Sequence, residues 1–141
     1  MAVDKPYTDI PGTTIFDTEQ AAKGYWLNQF AMSLSSAANR ERFLADEDAY
    51  LDEWKMTEDQ KQGVRDRDLN QLIELGGNIY YLAKIRAAEG WTYAAIVASM
   101  TEHTAEEHTA MMFAGGRSIE GNRYTHEQGG TEPADAIDGD V

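Results

Sequence analysis

The side chains with the clearest potential for chemistry lie within six residues of one another, at His103, Glu106, Glu107 and His108. A zinc-binding helix places two histidines four positions apart on one face, whereas these two are five apart, about 140° around a helix. The motif H-x-x-E-H is also missed by one residue. Thr104 is the predicted N-cap of a helix, so the glutamates are expected to complement its positive N-terminus. We predict no metal site here, and a self-contained metal hydrolase using His103 and His108 stands as an alternative.

Other residue types that carry catalysis occur without the neighbours that catalysis requires. The acidic run Asp46–Glu53 lacks the glycine and spacing of a calcium loop, and carboxylates on helix turns are usually solvated. The serines are not set in a G-x-S-x-G elbow. The chain has no cysteine, and its third histidine, His126, lies in a predicted tail. We therefore predict that this chain supplies no catalytic residue and no metal ligand.

The net charge of −13 restricts the partners that this chain can have. Nucleic acids and anionic membrane surfaces repel such a chain, whereas a basic protein surface attracts it. The first residues, MAVDKPYTDIPG, lack the apolar core of a secretory signal, and no apolar run approaches the roughly 18 residues of a membrane span. Absence of cysteine suits a reducing compartment. We expect a cytoplasmic protein that binds neither nucleic acid nor membrane.

Helix signals dominate the chain, and strand signals are nearly absent. We predict an all-α fold, a compact array of about six to seven short helices with an irregular N-terminal arm and a disordered acidic C-terminal tail. The predicted parts are an arm at 1–17, a helical domain at 18–118 and a flexible acidic tail at 119–141. The arm contains a predicted type II turn at Ile10–Thr13. Its apolar side chains need a surface, either on the chain's own helices or on a partner.

Capping signals predict where the helices begin. Capping boxes occur at Asp17–Gln20, Thr57–Gln60 and Thr104–Glu107, where an N-cap side chain and the third helical residue can bond each other's backbone. The first box should open a helix that runs to about Ser35. Thr92 is the predicted cap of a further short helix.

Other residues predict where helices break or end. Asn39 is a candidate N-cap, and Asp46 is expected to divide the run that follows into two short helices. The helix from the second capping box should continue through Leu75 to Gly76–Gly77, because glycine adopts the left-handed C-terminal conformation without a Cβ penalty. The pair Gly115–Gly116 should end the last helix in the same way.

Apolar residues of the first long helix are spaced to bury two adjoining faces. One stripe and the residues beside it are Ala22, Tyr25, Trp26, Phe30 and Ser33, with Leu27, Ala31 and Leu34. Tryptophan and tyrosine are numerous, and core packing is the ordinary role for most of them. Any that are exposed would form an interface or the wall of a pocket.

Six segments follow one another in the order of a known family. They are GYWLNQFAMSL (24–34), NRERF (39–43), AYLDEW (49–54), GGNIYYLAKI (76–85), SMT (99–101) and GGRS (115–118). With the arm segment PGTTIFD (11–17), they resemble the small α subunit of protocatechuate 4,5-dioxygenase. The resemblance extends from about Lys5 to Tyr124, and the tail lies outside it.

This resemblance implies a helical subunit that is paired with a larger β subunit, in an expected α2β2 heterotetramer. In that family the β subunit holds a non-haem Fe(II) through two histidines and one carboxylate. The enzyme uses O2 to open protocatechuate beside its two hydroxyls, and the product is 4-carboxy-2-hydroxymuconate semialdehyde. The α subunit covers the mouth of the active site. The resemblance thus implies a dioxygenase subunit that is not catalytic alone and does not itself bind the iron.

One residue role can be carried over by position. In the family an aromatic residue between GGN and SMT lines the substrate pocket, and Tyr93 holds that position here. Phenylalanine is common there, so the hydroxyl of Tyr93 is a departure, and Trp91 is a neighbouring difference. The alternative is that Tyr93 packs in the helical core. For the whole chain, the alternatives are a non-catalytic interaction protein that shares this fold, or a subunit acting on another carboxylated catechol such as gallate.

Overall fold

The computed structural model describes residues 4–9 and 13–117. Residues Phe16–Arg117 form one compact unit, while the 3-10 turn Pro6–Asp9 belongs to a second unit. Within the described residues of the compact unit, the regular elements are α1 (Thr18–Lys23), α2 (Tyr25–Ser33), α3 (Ala37–Ala45), α4 (Glu47–Asp52), α5 (Glu58–Arg65), α6 (Leu69–Glu74), α7 (Ile79–Ala87), α8 (Tyr93–Ser99) and α9 (Ala105–Phe113). The predicted all-α fold is confirmed. The predicted turn at Ile10–Thr13 and the tail lie largely or wholly outside the described residues.

More helices are found than predicted because two predicted helices are divided. The first division is at Gly24, between α1 and α2, where hydrogen bonding nevertheless continues. The amide of Gly24 donates to the carbonyl of Gln20 at 2.9 Å, and the amide of Asn28 donates to the carbonyl of Gly24 at 2.8 Å. The amide and the carbonyl of Gly24 therefore both keep helical partners where α1 passes into α2.

The second division separates α5 from α6. Arg67 has a φ of 54°, the left-handed conformation that ends a helix. Asp68 then caps α6, because its carboxylate accepts from the amide of Gln71 at 3.1 Å. The apolar spacing of the sequence continues across this break and therefore predicted one unbroken helix.

Predicted caps were confirmed at some positions and wrong at one. Asn39 is not an N-cap: it lies inside α3, and its amide group donates to the carbonyl of Ser33 at 2.9 Å. The residue before α3 is Ser36, whose side chain makes no capping bond. Asp46 does divide the run, since it ends α3 and its carboxylate accepts from the amide of Ala49 at 3.1 Å.

Two of the three predicted capping boxes are reciprocal, those at Thr57–Gln60 and Thr104–Glu107. At the first box, Asp17 accepts from the amide of Gln20 at 3.0 Å, so the cap is confirmed. The side chain of Gln20 does not return the bond. It donates instead to the carbonyl of Ile73 at 3.2 Å, which joins α1 to α6.

The core is built from one face of α2 and the helices that cover it. Three buried aromatic rings and one partly buried ring pack edge-on or tilted against one another in this core, with contacting centroids 5.5–6.4 Å apart. They belong to Phe30, Phe43, Tyr50 and Trp54. The buried face of α2 consists of Leu27, Asn28, Phe30 and Ala31. Of the predicted stripe, Tyr25 and Trp26 remain exposed, so only the part on this face belongs to the core.

Two helix junctions meet at Gly24 and Gly76. A Cβ atom on Gly24 would lie 1.8 Å from the carbonyl oxygen of Gly76, closer than any side chain allows. Gly76 also has a φ of 100°, which favours glycine. The backbones at the start of α2 and at the end of α6 can approach this closely only because both residues lack a side chain.

Asn28 fastens this contact from within α2. Its amide group donates to the carbonyl of Gly76 at 3.0 Å, and its side-chain oxygen accepts from the amide of Asn78 at 2.8 Å. Asn78 in turn caps α7, where its side chain accepts from the amide of Tyr80 at 3.0 Å. One buried side chain therefore joins α2 to both ends of the turn between α6 and α7.

Gln20 and Gln60 make further bonds of this kind. We name the side chains of Gln20, Asn28 and Gln60 the amide clamp. Gln60 is buried and donates to the carbonyls of Lys23 at 3.1 Å and Leu75 at 3.0 Å. Carbonyls at a helix C-terminus lack partners within the helix and must be satisfied by other groups. The amide clamp thus satisfies the ends of α1 and α6 while it holds α1, α2, α5 and α6 together.

Replacing Asn28 by leucine tests the amide clamp. Leucine fills the space of Asn28 but leaves the carbonyl of Gly76 and the amide of Asn78 without this partner inside the protein. We expect the free energy of unfolding to fall by about 3 kcal/mol, since each buried polar group left unpaired costs about 1–3 kcal/mol. Urea unfolding followed by circular dichroism measures the change.

Asn70→Leu is the matched control. Asn70 is exposed and makes one bond of the same kind, from its amide group to the carbonyl of Met100 at 3.0 Å. Because water can replace that bond, its loss should cost about 1 kcal/mol or less. Equal effects of the two substitutions would contradict the proposed importance of the clamp.

Candidate functional site

Tyr93 is the first residue of α8 and projects from the helical unit. Its exposed fraction is 73%, so the alternative that it packs in the core is wrong. The preceding Thr92 caps the helix as predicted, accepting from the amide of Ala95 at 3.2 Å. Farther along α8, Ile96 and Ala98 are buried and attach the helix to the core. The aromatic ring is therefore available to another molecule, and its role in binding substrate stays a prediction.

The connection that leads to Tyr93 is held by a stacked guanidinium. The Cζ atom of Arg86 lies 4.0 Å from the centroid of the Trp91 ring, within the range of a cation–π contact. Glu89 accepts from the same guanidinium at 2.9 Å. The amide of Trp91 donates back to the carbonyl of Arg86 at 3.2 Å, and Gly90 allows the reversal with a φ of 88°. We name Arg86, Glu89 and Trp91 the α7–α8 cluster.

Arg67 joins the α7–α8 cluster to the rest of the unit. Its guanidinium pairs with Glu89 at 2.5 Å and with Glu47 of α4, and it lies 5.3 Å from the centroid of the Phe43 ring. Partial burial alone would lower the pKa of Arg67, but hydrogen bonds to the two carboxylates outweigh it and raise the pKa above its ordinary value. The left-handed residue that divides α5 from α6 is thus also a link to the end of α7.

The contacts that raise the pKa of Arg67 also change the pKa of Glu89. Partial burial alone would raise the pKa of Glu89, but hydrogen bonds from Arg86 and Arg67 outweigh it and hold the pKa below its ordinary value. Glu89 is therefore an anion at neutral pH, and two guanidinium groups share it. In the sequence this site is marked only by an arginine and a glutamate three positions apart, with an aromatic residue two positions after the glutamate, a pattern from which the site was not predicted.

Exposed aromatic and apolar side chains are frequent on the last three helices. Tyr80, in the first turn of α7, is 82% exposed, and Phe113, at the end of α9, is 89% exposed. Met112 of α9 and Trp91, in the connection between α7 and α8, are also exposed. Helix α9 packs against α8 and buries none of its residues completely. Uncovered apolar groups in such number are typical of a surface that binds another protein.

The histidine and glutamate group near α9 is arranged as a helix start. His103 Nδ1 lies 3.4 Å from Glu107 Oε2, and Glu107 also completes the capping box with Thr104. His108 lies within α9 and is partly buried. Across residues 4–9 and 13–117, no three histidine, aspartate or glutamate side chains converge to hold a metal ion, while His126 lies outside this part. The described residues do not fit a metal centre.

No helix within the described part of the chain combines the length and the apolar character that crossing a membrane requires.

Comparisons with known proteins identify similar sequences. A family model described as "Aromatic-ring-opening dioxygenase LigAB, LigA subunit" matches residues 27–113, which extend from α2 to the end of α9 and include Tyr93 and the α7–α8 cluster. Gallate dioxygenase of Pseudomonas putida is 32% identical over 98 residues. That stretch is 70% of this chain but 29% of the relative, so the chain spans less than a third of the length of gallate dioxygenase.

Replacing Glu89 by glutamine tests the shared ion pair through its pH dependence. The folded-state pKa of Glu89 lies below the unfolded value of about 4.3, so the carboxylate stabilises the fold above that pH. We expect Glu89→Gln to lower the free energy of unfolding by about 1–3 kcal/mol at neutral pH. The difference from the unaltered protein should begin to close below about pH 4.3 and vanish below the folded-state pKa. Urea unfolding at a series of pH values measures it.

Glu41→Gln is the control for the change of charge. Glu41 is exposed on α3, and its replacement should change stability by less than about 0.5 kcal/mol. If the free energy of unfolding of Glu89→Gln differs from that of the unaltered protein by the same amount throughout the acid range, the ion pair is not the cause of the difference.

Proposed function

The chain belongs to the LigA family of small subunits of aromatic-ring-opening dioxygenases, and from this premise we propose that it completes the active site of a larger, iron-carrying subunit. The observation that carries the proposal is the family match over residues 27–113, which includes the segment that presents Tyr93. In this function the chain is an α subunit that caps the site and is not catalytic alone.

The description of the family supports a larger partner. The matching model describes the LigA subunit of a LigAB dioxygenase, a name that indicates a second subunit, which we call the large subunit. In gallate dioxygenase the region similar to this chain is less than a third of one polypeptide. The described residues bring no three potential metal ligands together. The proposal therefore assigns Fe(II) to the large subunit, with the two histidines and one carboxylate that the resemblance implies.

The exposed aromatic residues support a contact surface for the large subunit. Tyr80 and Phe113 are almost fully exposed, and large aromatic side chains are the residues that most often anchor protein interfaces. The net charge of −13 favours a basic rim on the partner. We propose that α7, α8 and α9 dock on the large subunit, and that two copies of each chain form the enzyme.

The position of Tyr93 supports a role at the substrate. An exposed ring at the first position of α8, one of the docking helices, can close one wall of a site in the large subunit and exclude water from the reaction there. Its hydroxyl can donate a hydrogen bond to, or accept one from, a polar ring substituent. We propose protocatechuate as the substrate, opened by O2 at the 4,5 position to 4-carboxy-2-hydroxymuconate semialdehyde.

Gallate is the second candidate substrate. It is favoured by the 32% identity to a protein named gallate dioxygenase. Gallate carries one more ring hydroxyl than protocatechuate, so the two substrates differ in a group that a tyrosine hydroxyl could recognise. The remaining alternative is a non-catalytic interaction protein with this fold, which would need no large subunit and would not affect ring cleavage.

Reconstitution with a LigB-type large subunit loaded with Fe(II) tests the proposed function. We expect this chain to form a complex with it and to raise the rate of O2 uptake with protocatechuate or gallate. Phe113→Ser should weaken the complex by about 10- to 30-fold, because an exposed aromatic anchor at an interface contributes on the order of 2 kcal/mol. Calorimetric titration measures the affinity, and an oxygen electrode measures the rate.

Leu44→Ser is the matched control, since Leu44 is an exposed apolar residue on α3, outside the docking helices. It should leave the affinity unchanged within about twofold. A chain that forms no complex with the large subunit, or that leaves O2 uptake unchanged, would favour the non-catalytic alternative.

Tyr93→Ala and Tyr93→Phe test the substrate contact in the reconstituted complex. We expect Tyr93→Ala to raise KM about tenfold or more, because a wall of the site is lost, while the iron content stays the same. Tyr93→Phe keeps the ring and should change the ratio of kcat/KM for protocatechuate and gallate, because only the hydroxyl is removed. Initial rates with both substrates, together with iron analysis, measure these effects.

The matched control is Tyr25→Ala. Tyr25 is likewise an exposed tyrosine at the first position of its helix, α2, but it lies outside the docking helices. It should leave KM unchanged. Unaltered kinetics in both Tyr93 variants would exclude a substrate contact.

A further inference from the structure

The last turn of α7 contains a charged side chain, Arg86, that contacts the connection leading to α8. Given the proposed function, on which this step rests, we infer that Arg86 is a positioning residue for Tyr93. Its guanidinium, held by Glu89 and stacked on Trp91, sets the direction in which the Tyr93 ring projects toward the substrate.

The geometry of the Arg86 guanidinium favours this role. Arg86 and Glu89 keep only 19% and 20% of their side-chain surface exposed, so solvent screens their contact weakly. The planar group lies 4.0 Å from the centroid of the Trp91 ring while Glu89 binds one of its nitrogens at 2.9 Å. A guanidinium can stack and form an ion pair simultaneously, which a lysine ammonium cannot reproduce.

The stack of Arg86 on Trp91 also lies only a short distance along the chain from Tyr93. Trp91 is separated from Tyr93 by Thr92 alone, and Thr92 is the N-cap of α8. Helix α8 has seven residues, too few to be stable by itself. Its buried residues, Ile96 and Ala98, lie at its middle and in its last turn, while its first residue, Tyr93, is exposed. The start of the helix therefore depends on the placement of Trp91, and a shift of that ring is passed directly to Tyr93.

The contacts of Glu89 and Trp91 allow the positioning of Tyr93 to be separated from the folding of the unit. Glu89 is held by Arg67 at 2.5 Å as well as by Arg86, so the link between α7 and the α5–α6 junction remains when Arg86 is altered. Trp91 is 38% exposed and lies outside the hydrophobic core. Weakening the stack should change the direction of Tyr93 while the remainder of the unit stays folded.

The experiment uses the complex with the large subunit. Arg86→Lys keeps the positive charge beside Glu89 but loses the planar stack. We expect KM for the preferred catechol to rise about three- to tenfold, with kcat changed by less than about twofold and with the affinity between subunits unchanged. Trp91→Leu should reproduce this effect. Trp91→Phe, which restores a ring for Arg86 to stack on, should recover most of the original KM.

Arg42→Lys is the matched control. Arg42 also pairs with a glutamate, Glu53, and stacks over an aromatic ring, Tyr50, at 5.0 Å, but it does so within α3 and the α4 region. It should leave KM unchanged. A second measurement, which does not depend on turnover, is amide hydrogen exchange at Ala95 in the free chain. Exchange should become faster in the Arg86→Lys variant and stay unchanged in the Arg42→Lys variant.

The outcomes distinguish this inference from the proposed function. Faster exchange with an unchanged KM in an active complex would overturn the positioning role and leave the proposed function intact. An equal rise of KM in Arg42→Lys would also overturn it, by showing a general loss of stability. A complex of the unaltered chain that never cleaves a catechol would overturn the proposed function, and this inference with it.

Discussion

The close approach of two glycines is the constraint on which the rest of the structure depends. Gly24 and Gly76 bring the start of α2 against the end of α6, at a distance that excludes any Cβ atom. Asn28 then bonds to both sides of the α6–α7 turn. The result places α7 alongside α2, and α7 carries the residues that lead to Tyr93. A contact far from the candidate site in sequence thus determines where that site lies.

Charge is used in two different ways in this acidic protein. At the end of α7, Arg67 and Arg86 share Glu89, and each guanidinium also lies over an aromatic ring, that of Phe43 or Trp91. Because these contacts are partly buried, they fix the relative positions of chain segments, whereas exposed charges only keep the protein solvated. The remaining acidic side chains leave a net charge of −13. Such a surface favours a basic partner and disfavours nucleic acid.

Membership in a family of small dioxygenase subunits explains why this chain leaves large aromatic side chains exposed, which a protein acting alone would have no reason to do. The helices that follow the amide clamp expose Tyr80, Tyr93 and Phe113 in place of burying them. Helix α9 packs on α8 but has no fully buried residue. Exposed aromatic groups on a helical body are suited to complete a site on another subunit. Docking there would remove these groups from water, which contributes favourably to the free energy of binding.

The sequence by itself determined the helical class, most helix starts and the family, because capping residues, glycine pairs and apolar spacing act over a few neighbouring positions. It predicted Asp46 as a divider and Thr92 as a cap, and it selected Tyr93 by resemblance. Only the tertiary structure decided the break at Gly24, the reversal at Arg67, the exposure of Tyr93 and the stack of Arg86 on Trp91. The first two depend on contacts between residues tens of positions apart, and exposure depends on which helices cover a side chain. Local patterns do not carry that information.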